Sequence, residues 1–405
     1  MTVSSNASGR LGAVDAMRGF ALAGLFLVHI MESYELYWAH PVANPLTDAV
    51  FLLFMGKSFS LLAMCFGFSF HILMAGAAKR GEDFRLRFAW RLLLLAAIGY
   101  LHSLIYRGDI MVTLAALGMA LIPAERLRSN RALFAIAAVC FLGPTLIVQM
   151  LGAMAGAGWA NREALSSTDP AMAIYLNGSW DATLRVNLWT AQVPKFAYFI
   201  EFGRLPQIYG LFLIGMLLGR THFFGRLHEL RKQRWIALAV ALALAVLLQF
   251  GREPARLAFA AEGYSPAAQR AFHTLTGTWL ELAGSAVWGL LVLEAYQRAG
   301  RLLAPLVAMG RLTLTLYVAQ SIVFVPLFYS FGLGLHDDLD SETRLWLGLG
   351  GIAVQMAFAT LWLRYFAYGP LEWAWRALTY LRADIPFRKR EAAGRPARGS
   401  KPQMV

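Results

Sequence analysis

Long apolar runs separated by short polar segments dominate the sequence. A run of about 20 apolar residues crosses the ~30 Å hydrocarbon core of a bilayer as an α-helix. The pattern predicts about ten spans, near residues 13–31, 48–77, 88–106, 108–123, 131–151, 197–219, 235–251, 272–297, 302–328 and 343–366. We therefore expect an all-α, polytopic integral membrane protein. Its single transmembrane domain covers residues 13–381.

Basic residues are concentrated in every second loop between the predicted spans. This alternation predicts how the chain is oriented in the membrane. The segments that follow the second, fourth and sixth spans are rich in Lys and Arg. In contrast, residues 32–48 contain neither, and residues 334–342 are acidic. Because short cytoplasmic loops are enriched in Lys and Arg, we expect both termini, residues 1–12 and 382–405, to be cytoplasmic.

Two segments outside the spans have a composition of their own. Residues 152–196 form a long outer segment whose Trp, Leu and Val spacing predicts short amphipathic helices against the outer face. The tail, residues 382–405, is rich in Arg, Lys, Gly and Pro. We expect this tail to be disordered and attracted to anionic lipid.

Composition narrows the class of protein further. The chain is 58% hydrophobic and 15% charged, with a net charge of +13. The basic residues cluster beside spans and in the tail, so the expected partner is membrane lipid and not nucleic acid. Cys65 and Cys140 lie inside predicted spans and are interpreted as packing residues. No metal site is predicted, and no motif typical of a protease, lipase or ATPase is present.

The first span carries three ionisable residues. The stretch VDAMRGFALAGLFLVHI, residues 14–30, contains Asp15, Arg18 and His29. At about 100° per residue, all three lie on one helical stripe, polar at both ends, with Leu22 in its middle. An ionisable group in hydrocarbon costs at least a few kcal/mol, so the alignment suggests function.

The chemistry of the stripe differs between its two ends. An imidazole exchanges protons near neutral pH, which suits His29 as a general base. Arg18 lies about 16 Å away along the helix, where it would bind an anionic group near the inner face. The alternative is a local Asp15–Arg18 pair and a structural histidine.

Further polar groups lie in or beside other spans. Lys57 is interpreted either as a lysine that extends to the interface or as a cation facing an anionic substrate. His102 and Asp109 flank a turn that would bring them together, either as a catalytic pair or as a turn-stabilising hydrogen bond. His40 lies in an outer loop, in YWAHP. Glu201 and Arg204 are most simply an ion pair within one helix.

Several stretches resemble the YeiB-like family, also called domain of unknown function 418. They are VDAMRGFALAGLFLVHI, GKSFSLLAMCFGFSF, WRLLLLAAIGYLHSLIYRGDI, FLIGMLLGR, GRLTLTLYVAQS and RYFAYGPLEWAWRALTY. These segments occur in the family's order over nearly the whole chain, and GPLEWAWRALT is the most specific of them.

The YeiB-like family in turn resembles a wider group of transmembrane acyltransferases. This group includes acyltransferase family 3, the glucan-succinylating membrane enzymes and the lysosomal heparan glucosaminide acetyltransferase. Arg18 and His29 resemble an arginine and an essential histidine that stand eleven positions apart in acyltransferase family 3. His40 stands at an offset from Asp15 similar to that of the active histidine in the heparan enzyme.

This sequence also departs from its nearer family. YeiB-like proteins usually carry asparagine at the position of His29, an Asn-Pro near the position of His40, and asparagine at the position of Leu316. The two histidines favour retained acyltransferase chemistry in this chain.

The resemblance implies an acyltransferase in the bacterial cytoplasmic membrane. It would use cytosolic acyl-CoA, with acetyl-CoA as the expected donor, and an acceptor hydroxyl or amine on a glycan, lipid or small molecule. His29 or His40 would be the base, and His102 with Asp109 would orient the acceptor. The donor-binding residues would be Asp15, Arg18, Lys57 and Arg91, with the donor's phosphates against Arg18 and the basic inner loops. The alternatives are a transporter of a small anion or lipid and a structural or sensory protein, and a homodimer is an open alternative to a monomer.

Overall fold

The computed structural model describes residues 5–167 and 169–389, and of residues 5–11 the backbone alone. These residues form α-helices and short 3-10 turns without a strand, which confirms the all-α class. The first ten helices are α1 Ser5–Met31, α2 Pro45–Phe54, α3 Lys57–Ala78, α4 Arg85–Ser103, α5 Met111–Met119, α6 Leu121–Ala124, α7 Asn130–Phe141, α8 Pro144–Met154, α9 Gly158–Asn161 and α10 Met172–Asn177. The remaining helices are α11 Trp180–Leu188, α12 Gln192–Glu201, α13 Arg204–Arg220, α14 Arg231–Ala261, α15 Pro266–Ala299, α16 Ala304–Arg311, α17 Thr313–Phe328, α18 Ser341–Tyr365 and α19 Pro370–Tyr380.

Six helical stretches of the described chain are long and apolar enough to cross a membrane. The number rises to eight if two sharply bent helix pairs each count as one span. The remaining two of the ten predicted spans, residues 88–106 and 108–123, correspond to α4 and to α5 with α6, which do not meet this test of length and composition. The polytopic membrane architecture is thus confirmed, whereas the predicted number of ten spans is not.

Polar residues at the helix starts fix several boundaries. Asn44 caps α2 by accepting hydrogen bonds from the backbone N–H groups of Leu46 and Thr47, at 2.9 and 3.2 Å. Pro45 follows at the first helical position, where a missing N–H costs nothing. Asp340 caps α18 in the same way, through the N–H of Thr343 at 2.8 Å. Each cap satisfies backbone donors that the helix itself leaves unpaired.

Helix α1 lies at the centre of the bundle and packs against α3, α15, α16 and α18. Its crossing with α16 depends on two glycines. A Cβ on Gly19 would lie 2.0 Å from the Leu306 carbonyl oxygen, and one on Gly310 would lie 1.8 Å from the Asp15 carbonyl oxygen. The missing side chains let the two backbones touch, as in other membrane helix pairs. The space beside Gly19 is therefore filled by a helix.

Three of the spans are interrupted. Gly56 separates α2 from α3 with φ of +73°, and Gly203 separates α12 from α13 with φ of +63°. These values lie in the left-handed region that glycine adopts without a steric penalty. The α12–α13 pair bends by 69°, and the α16–α17 pair bends by 83° at Leu312.

The outer segment folds into short helices, as predicted from residues 152–196. Helices α10 and α11 pack over the end of α1 through an apolar cluster in which Tyr175 and Val186 meet Tyr34 and Phe328. The N–H of Ser330 also donates to the carbonyl of Tyr175 at 3.1 Å. This segment therefore covers the end of the helix that carries His29.

The chain ends carry structure beyond the predicted transmembrane domain. Helix α1 already begins at Ser5, and residues 1–4 lie outside the described part. Within the predicted tail, Phe387 packs on Phe366 with ring centroids 4.9 Å apart, and the Lys389 N–H donates to the Tyr365 carbonyl at 2.9 Å. Residues 390–405, which make up most of the predicted tail, lie outside the described residues.

Candidate functional site

His29 lies one turn before a glutamate that binds it. The Nδ1 of His29 is 2.8 Å from the Glu32 carboxylate, and the Trp38 indole N–H donates to the other Glu32 oxygen at 3.0 Å. Because the carboxylate only accepts, the N–H of Nδ1 donates to Glu32, and Nε2 is the nitrogen left for a substrate. The side chain of His29 is 11% exposed. This arrangement of imidazole and carboxylate is the one that prepares a histidine to accept a proton.

The backbone that follows is held in an uncommon conformation. Ser33, Tyr34 and Glu35 have φ of +49°, +52° and +79°, three consecutive non-glycine residues in the left-handed region. Each such residue costs roughly 1–2 kcal/mol relative to its ordinary conformation. The Tyr34 ring stacks on His29 at 5.4 Å between centroids, and its carbonyl accepts a hydrogen bond from Tyr329 at 3.1 Å. Strain of this kind concentrates at functional sites.

Arg107 secures this turn to the outer segment. Its guanidinium binds Glu35 at 2.6 Å and also pairs with Asp169. Burial alone would lower the pKa of Arg107, but these two carboxylates outweigh it and raise the pKa well above its usual range. Burial, reinforced by the nearby Glu32 carboxylate, raises the pKa of Tyr34. The arginine therefore stays charged and the tyrosine stays neutral.

The predicted His102–Asp109 pair forms across the turn between α4 and α5. Nδ1 of His102 lies 2.7 Å from one Asp109 oxygen, and both residues are buried. The other Asp109 oxygen accepts the Met111 N–H at 2.9 Å at the start of α5. One oxygen orients the imidazole and the other stabilises the turn, so the contact is confirmed, while the catalytic role of the pair stays a prediction. Nε2 of His102 has no hydrogen-bond partner within the described residues.

Tyr106 joins the two histidine pairs. Its hydroxyl is 3.2 Å from Nδ1 of His29, with ring centroids 5.3 Å apart. On its other side, the His102 ring centroid lies 6.3 Å away. The structure thus brings His29, His102 and Asp109 into one buried neighbourhood, called here the outer histidine site after its predicted orientation.

His40 lies elsewhere. It is exposed and lines a polar cleft of about 500 Å³ at the predicted outer surface. The cleft is formed by residues 33–44, 176–177 and 336–344, and it includes His336 and Arg344. His29 is not among its lining residues. The two candidate bases therefore occupy separate places.

The other end of the stripe forms an inner cationic cluster of Arg18, Arg91, Arg311 and Arg376. Arg18 binds Asp15 at 3.0 Å and also Ser69 of α3. Arg311 acts electrostatically on Asp15, and Arg18 and Arg376 act on Arg91. The Arg91 guanidinium lies 3.6 Å from the Trp375 ring centroid. Leu22, between the two ends of the stripe, is fully buried.

The structure places Lys57 in a different cluster, with Glu281 and Arg204. The predicted Glu201–Arg204 pair is wrong, because Arg204 binds Glu281 on α15 and Glu201 accepts from the Ser166 N–H and hydroxyl at 3.1 and 2.7 Å. Glu201 ends α12, and the bend at Gly203 turns the two side chains to different partners.

Sequence reasoning missed Glu32, Arg107, Tyr106 and Glu281. For Glu32 a signal existed, because it stands three positions after His29 on the same helical face. A second signal was the recurrence of glycine before a basic residue at the interrupted spans, as in FMGK, EFGR and AMGR at residues 54–57, 201–204 and 308–311. Arg107 and Glu281 meet partners remote in sequence.

Metal chemistry has no visible site in the described part of the chain. Within residues 5–167 and 169–389, no group of three or more His, Cys, Asp or Glu side chains is placed to hold a metal ion. Cys65 and Cys140 are free, and Cys65 is buried.

Taken with the apolar helices, the outer histidine site defines a polytopic α-helical membrane protein with ionisable groups buried at its core. The model of a family described as protein of unknown function (DUF418) matches residues 218–382. The predicted resemblance to the YeiB-like, DUF418 family is thereby confirmed.

Curated relatives match over nearly their whole length. The chain is 28% identical over 414 residues to the uncharacterized protein YeiB of Escherichia coli strain K12, covering 92% of this chain and 97% of the relative. It is 26% identical over 400 residues to an uncharacterized 39.9 kDa protein in the amylase 3' region of Bacillus acidopullulyticus, covering 95% and 97%. It is 25% identical over 406 residues to the uncharacterized protein YxaH of Bacillus subtilis strain 168, covering 92% and 94%.

Proposed function

We propose that the protein is a membrane acyltransferase. It moves an acyl group from cytosolic acyl-CoA, with acetyl-CoA as the expected donor, to an acceptor hydroxyl or amine at the outer face of the bacterial cytoplasmic membrane. The observation that carries this proposal is the pairing of His29 with Glu32 beside Tyr106. It supplies an oriented base where a membrane-buried histidine is otherwise costly.

In the proposed transfer step, Nε2 of His29 is the base. Nε2 takes the proton of the acceptor hydroxyl while the acceptor oxygen attacks the thioester carbonyl carbon. The carbon–sulfur bond then breaks, and the CoA thiolate leaves with the proton that His29 returns. Glu32 stabilises the imidazolium that exists in between. His102, oriented by Asp109, accepts a hydrogen bond from the acceptor through its unpartnered Nε2.

The donor's phosphates bind at the inner cationic cluster. Arg18 and Arg91 contact them, and Asp15 holds Arg18 in position. Arg18 and His29 are about 16 Å apart along α1, a distance that the extended pantetheine arm spans. Because Leu22 is fully buried between them, donor binding has to move the helices that pack on it.

Acyl-CoA binding and transfer by the purified protein in detergent test the proposal. We expect wild type to bind acetyl-CoA, Arg18→Ala to weaken binding, and His29→Ala to bind normally without transfer. Absence of binding at millimolar acetyl-CoA would reject the enzyme. The acceptor is identified by comparing envelope glycans and lipids, by mass spectrometry, between cells with and without the gene.

A transporter of a small anion or lipid is the second candidate, and one observation favours it. Two spans are broken, by 69° between α12 and α13 and by 83° between α16 and α17. Discontinuous helices with exposed termini are typical of substrate sites in transporters. Reconstituted vesicles separate the candidates, because a transporter accumulates its substrate without consuming acyl-CoA.

A further inference from the structure

A second buried polar cluster lies where two interrupted spans meet. Lys57 is the first residue of α3, and Arg204 is the first residue of α13. Each follows a glycine with positive φ, Gly56 and Gly203. Glu281 of α15 reaches both helix starts, since it pairs with Arg204 and its carboxylate would collide with a Cβ on Gly56.

The two helices run parallel with their N-termini at one level. Phe66 stacks on Phe212 at 4.8 Å between ring centroids, an offset of 146 residues. Lys57 and Arg204 are 147 residues apart, so they lie at equivalent positions. A Cβ on Gly67 would lie 2.0 Å from the Phe212 carbonyl oxygen, so the helices are in backbone contact. The positive ends of two helix dipoles are thus directed to one place.

Polar groups at this place lack partners. Lys57 is 6% exposed, and no hydrogen bond or ion pair to its ammonium is formed within the described residues. Gln207 is 1% exposed; its Oε1 accepts from Arg204 at 2.9 Å, while its Nε2 has no partner there. Because both atoms belong to one amide, the free N–H₂ group lies beside the Arg204–Glu281 pair. Leaving the buried amide N–H₂ group of Gln207 unpaired is costly.

The charges are unbalanced. The charged side chains that act on Lys57 are Glu281, Arg252 and Arg204. Arg252 also acts on Glu253, so the cluster itself has an excess of one positive charge, Lys57 and Arg204 against Glu281. The N-termini of helices of 22 and 17 residues add further positive potential. A buried excess of positive charge calls for an anion.

We propose that this cluster binds a phosphate group, either inorganic phosphate or the phosphodiester of a lipid headgroup. The Lys57 ammonium, the Gln207 amide and the helix N-termini donate to its oxygens. Glu281 is the resident counter-ion that competes with the phosphate for Arg204. A phosphate fits better than a carboxylate because it has more acceptor oxygens for these donors, and its negative charge balances the excess. This site is separate from the outer histidine site and does not depend on acyl transfer.

Calorimetric titration of the full-length protein in a maltoside detergent tests the site, because that detergent contains no phosphate. The probes are inorganic phosphate and a short-chain phosphatidylglycerol, titrated separately. The variants are Lys57→Met, Lys57→Arg and Glu281→Gln, with Lys232→Met as the matched control because Lys232 is exposed. Thermal unfolding of each variant establishes that it is folded.

We expect saturable binding of at least one probe, and the probe that binds identifies the source of the phosphate. Lys57→Met should weaken binding about tenfold, while Lys57→Arg and Lys232→Met keep it. Glu281→Gln should tighten binding about tenfold because it removes the competing charge. Failure of both probes to bind wild type, or equal binding by Lys57→Met and Lys232→Met, overturns the proposal. If Lys57→Met does not fold, Glu281→Gln decides: a purely structural ion cluster loses stability in this variant and gains no affinity.

Discussion

Glu32 accepts the Nδ1 proton of His29 at 2.8 Å, one helical turn further along the chain. The pair sits where α1 ends and the left-handed turn begins, so the position of the carboxylate depends on that turn. Its second oxygen is held by Trp38. Both the tautomer and the orientation of the imidazole are thereby set before any substrate arrives.

The role of Glu32 is open to a direct test. We expect Glu32→Gln to lower acyl transfer by about 10²–10⁴-fold, because the amide can present N–H to Nδ1 and reverse the tautomer. Affinity for acetyl-CoA should change by no more than about twofold. Glu82→Gln is the control, since Glu82 is about half exposed. Equal losses in binding and turnover would point to misfolding instead.

Alanine variants of His29 and His40 should show which histidine is the base. His29→Ala should remove about 10²–10⁴-fold of the transfer rate and leave acetyl-CoA binding nearly intact. His40→Ala should cost less, because His40 is exposed in the outer cleft. A dead His40→Ala beside an active His29→Ala would support the arrangement of the heparan enzyme, and full activity in both would exclude either histidine as base.

Arg107 should contribute strongly to the free energy of unfolding through its pairs with Glu35 and Asp169. Arg107→Met leaves Glu35 and Asp169 without their cation in a largely buried place. We expect a loss of about 3–5 kcal/mol in the free energy of unfolding, measured by thermal or denaturant unfolding in detergent. The control is Arg185→Met, whose pair with Asp181 is exposed to solvent and should contribute little to stability.

The α1–α16 crossing predicts a strong dependence on side-chain size. Gly19→Ala forces a methyl group against the Leu306 carbonyl and should destabilise the protein by about 1–3 kcal/mol. Gly350→Ala, which meets nothing within 4 Å, should be neutral or slightly stabilising. Similar unfolding temperatures for the two variants would argue against this helix contact.

The orientation can be established by cysteine labelling in intact cells. In a background in which Cys65 and Cys140 are replaced by serine, a cysteine at Ala43 or Ser341 should react with an impermeant maleimide added outside. One at Ser129 should react only after permeabilisation, because its loop is basic and predicted to be cytoplasmic. The reverse pattern would place the inner cationic cluster on the outer side and end the acyl-CoA proposal.

Local patterns in the sequence predict the contacts that depend on local geometry. The Asp15–Arg18 pair follows from helical spacing, and the His102–Asp109 pair follows from one short turn. Both pairs span seven residues or fewer, so backbone geometry alone brings them together.

Local sequence patterns did not predict the contacts between distant segments of the chain. Tyr106 reaches His29 across 77 residues, and Arg204 reaches Glu281 across the same separation. Which helices become neighbours is decided by packing of the whole bundle, and a single hydrophobic pattern does not encode it. The bend at Gly203 was marked in the sequence by a glycine before a basic residue, yet its consequence for Glu201 required the structure.

Leu22 and its fully buried neighbours have an electrical consequence. They form a buried apolar segment between the ionisable groups at the two ends of α1. A membrane potential of 100 mV is worth about 2.3 kcal/mol for each elementary charge that crosses the membrane. In the predicted orientation, this apolar segment would separate His29 from the cytoplasmic side, so that His29 would exchange protons only with the outer side while the helices stay packed.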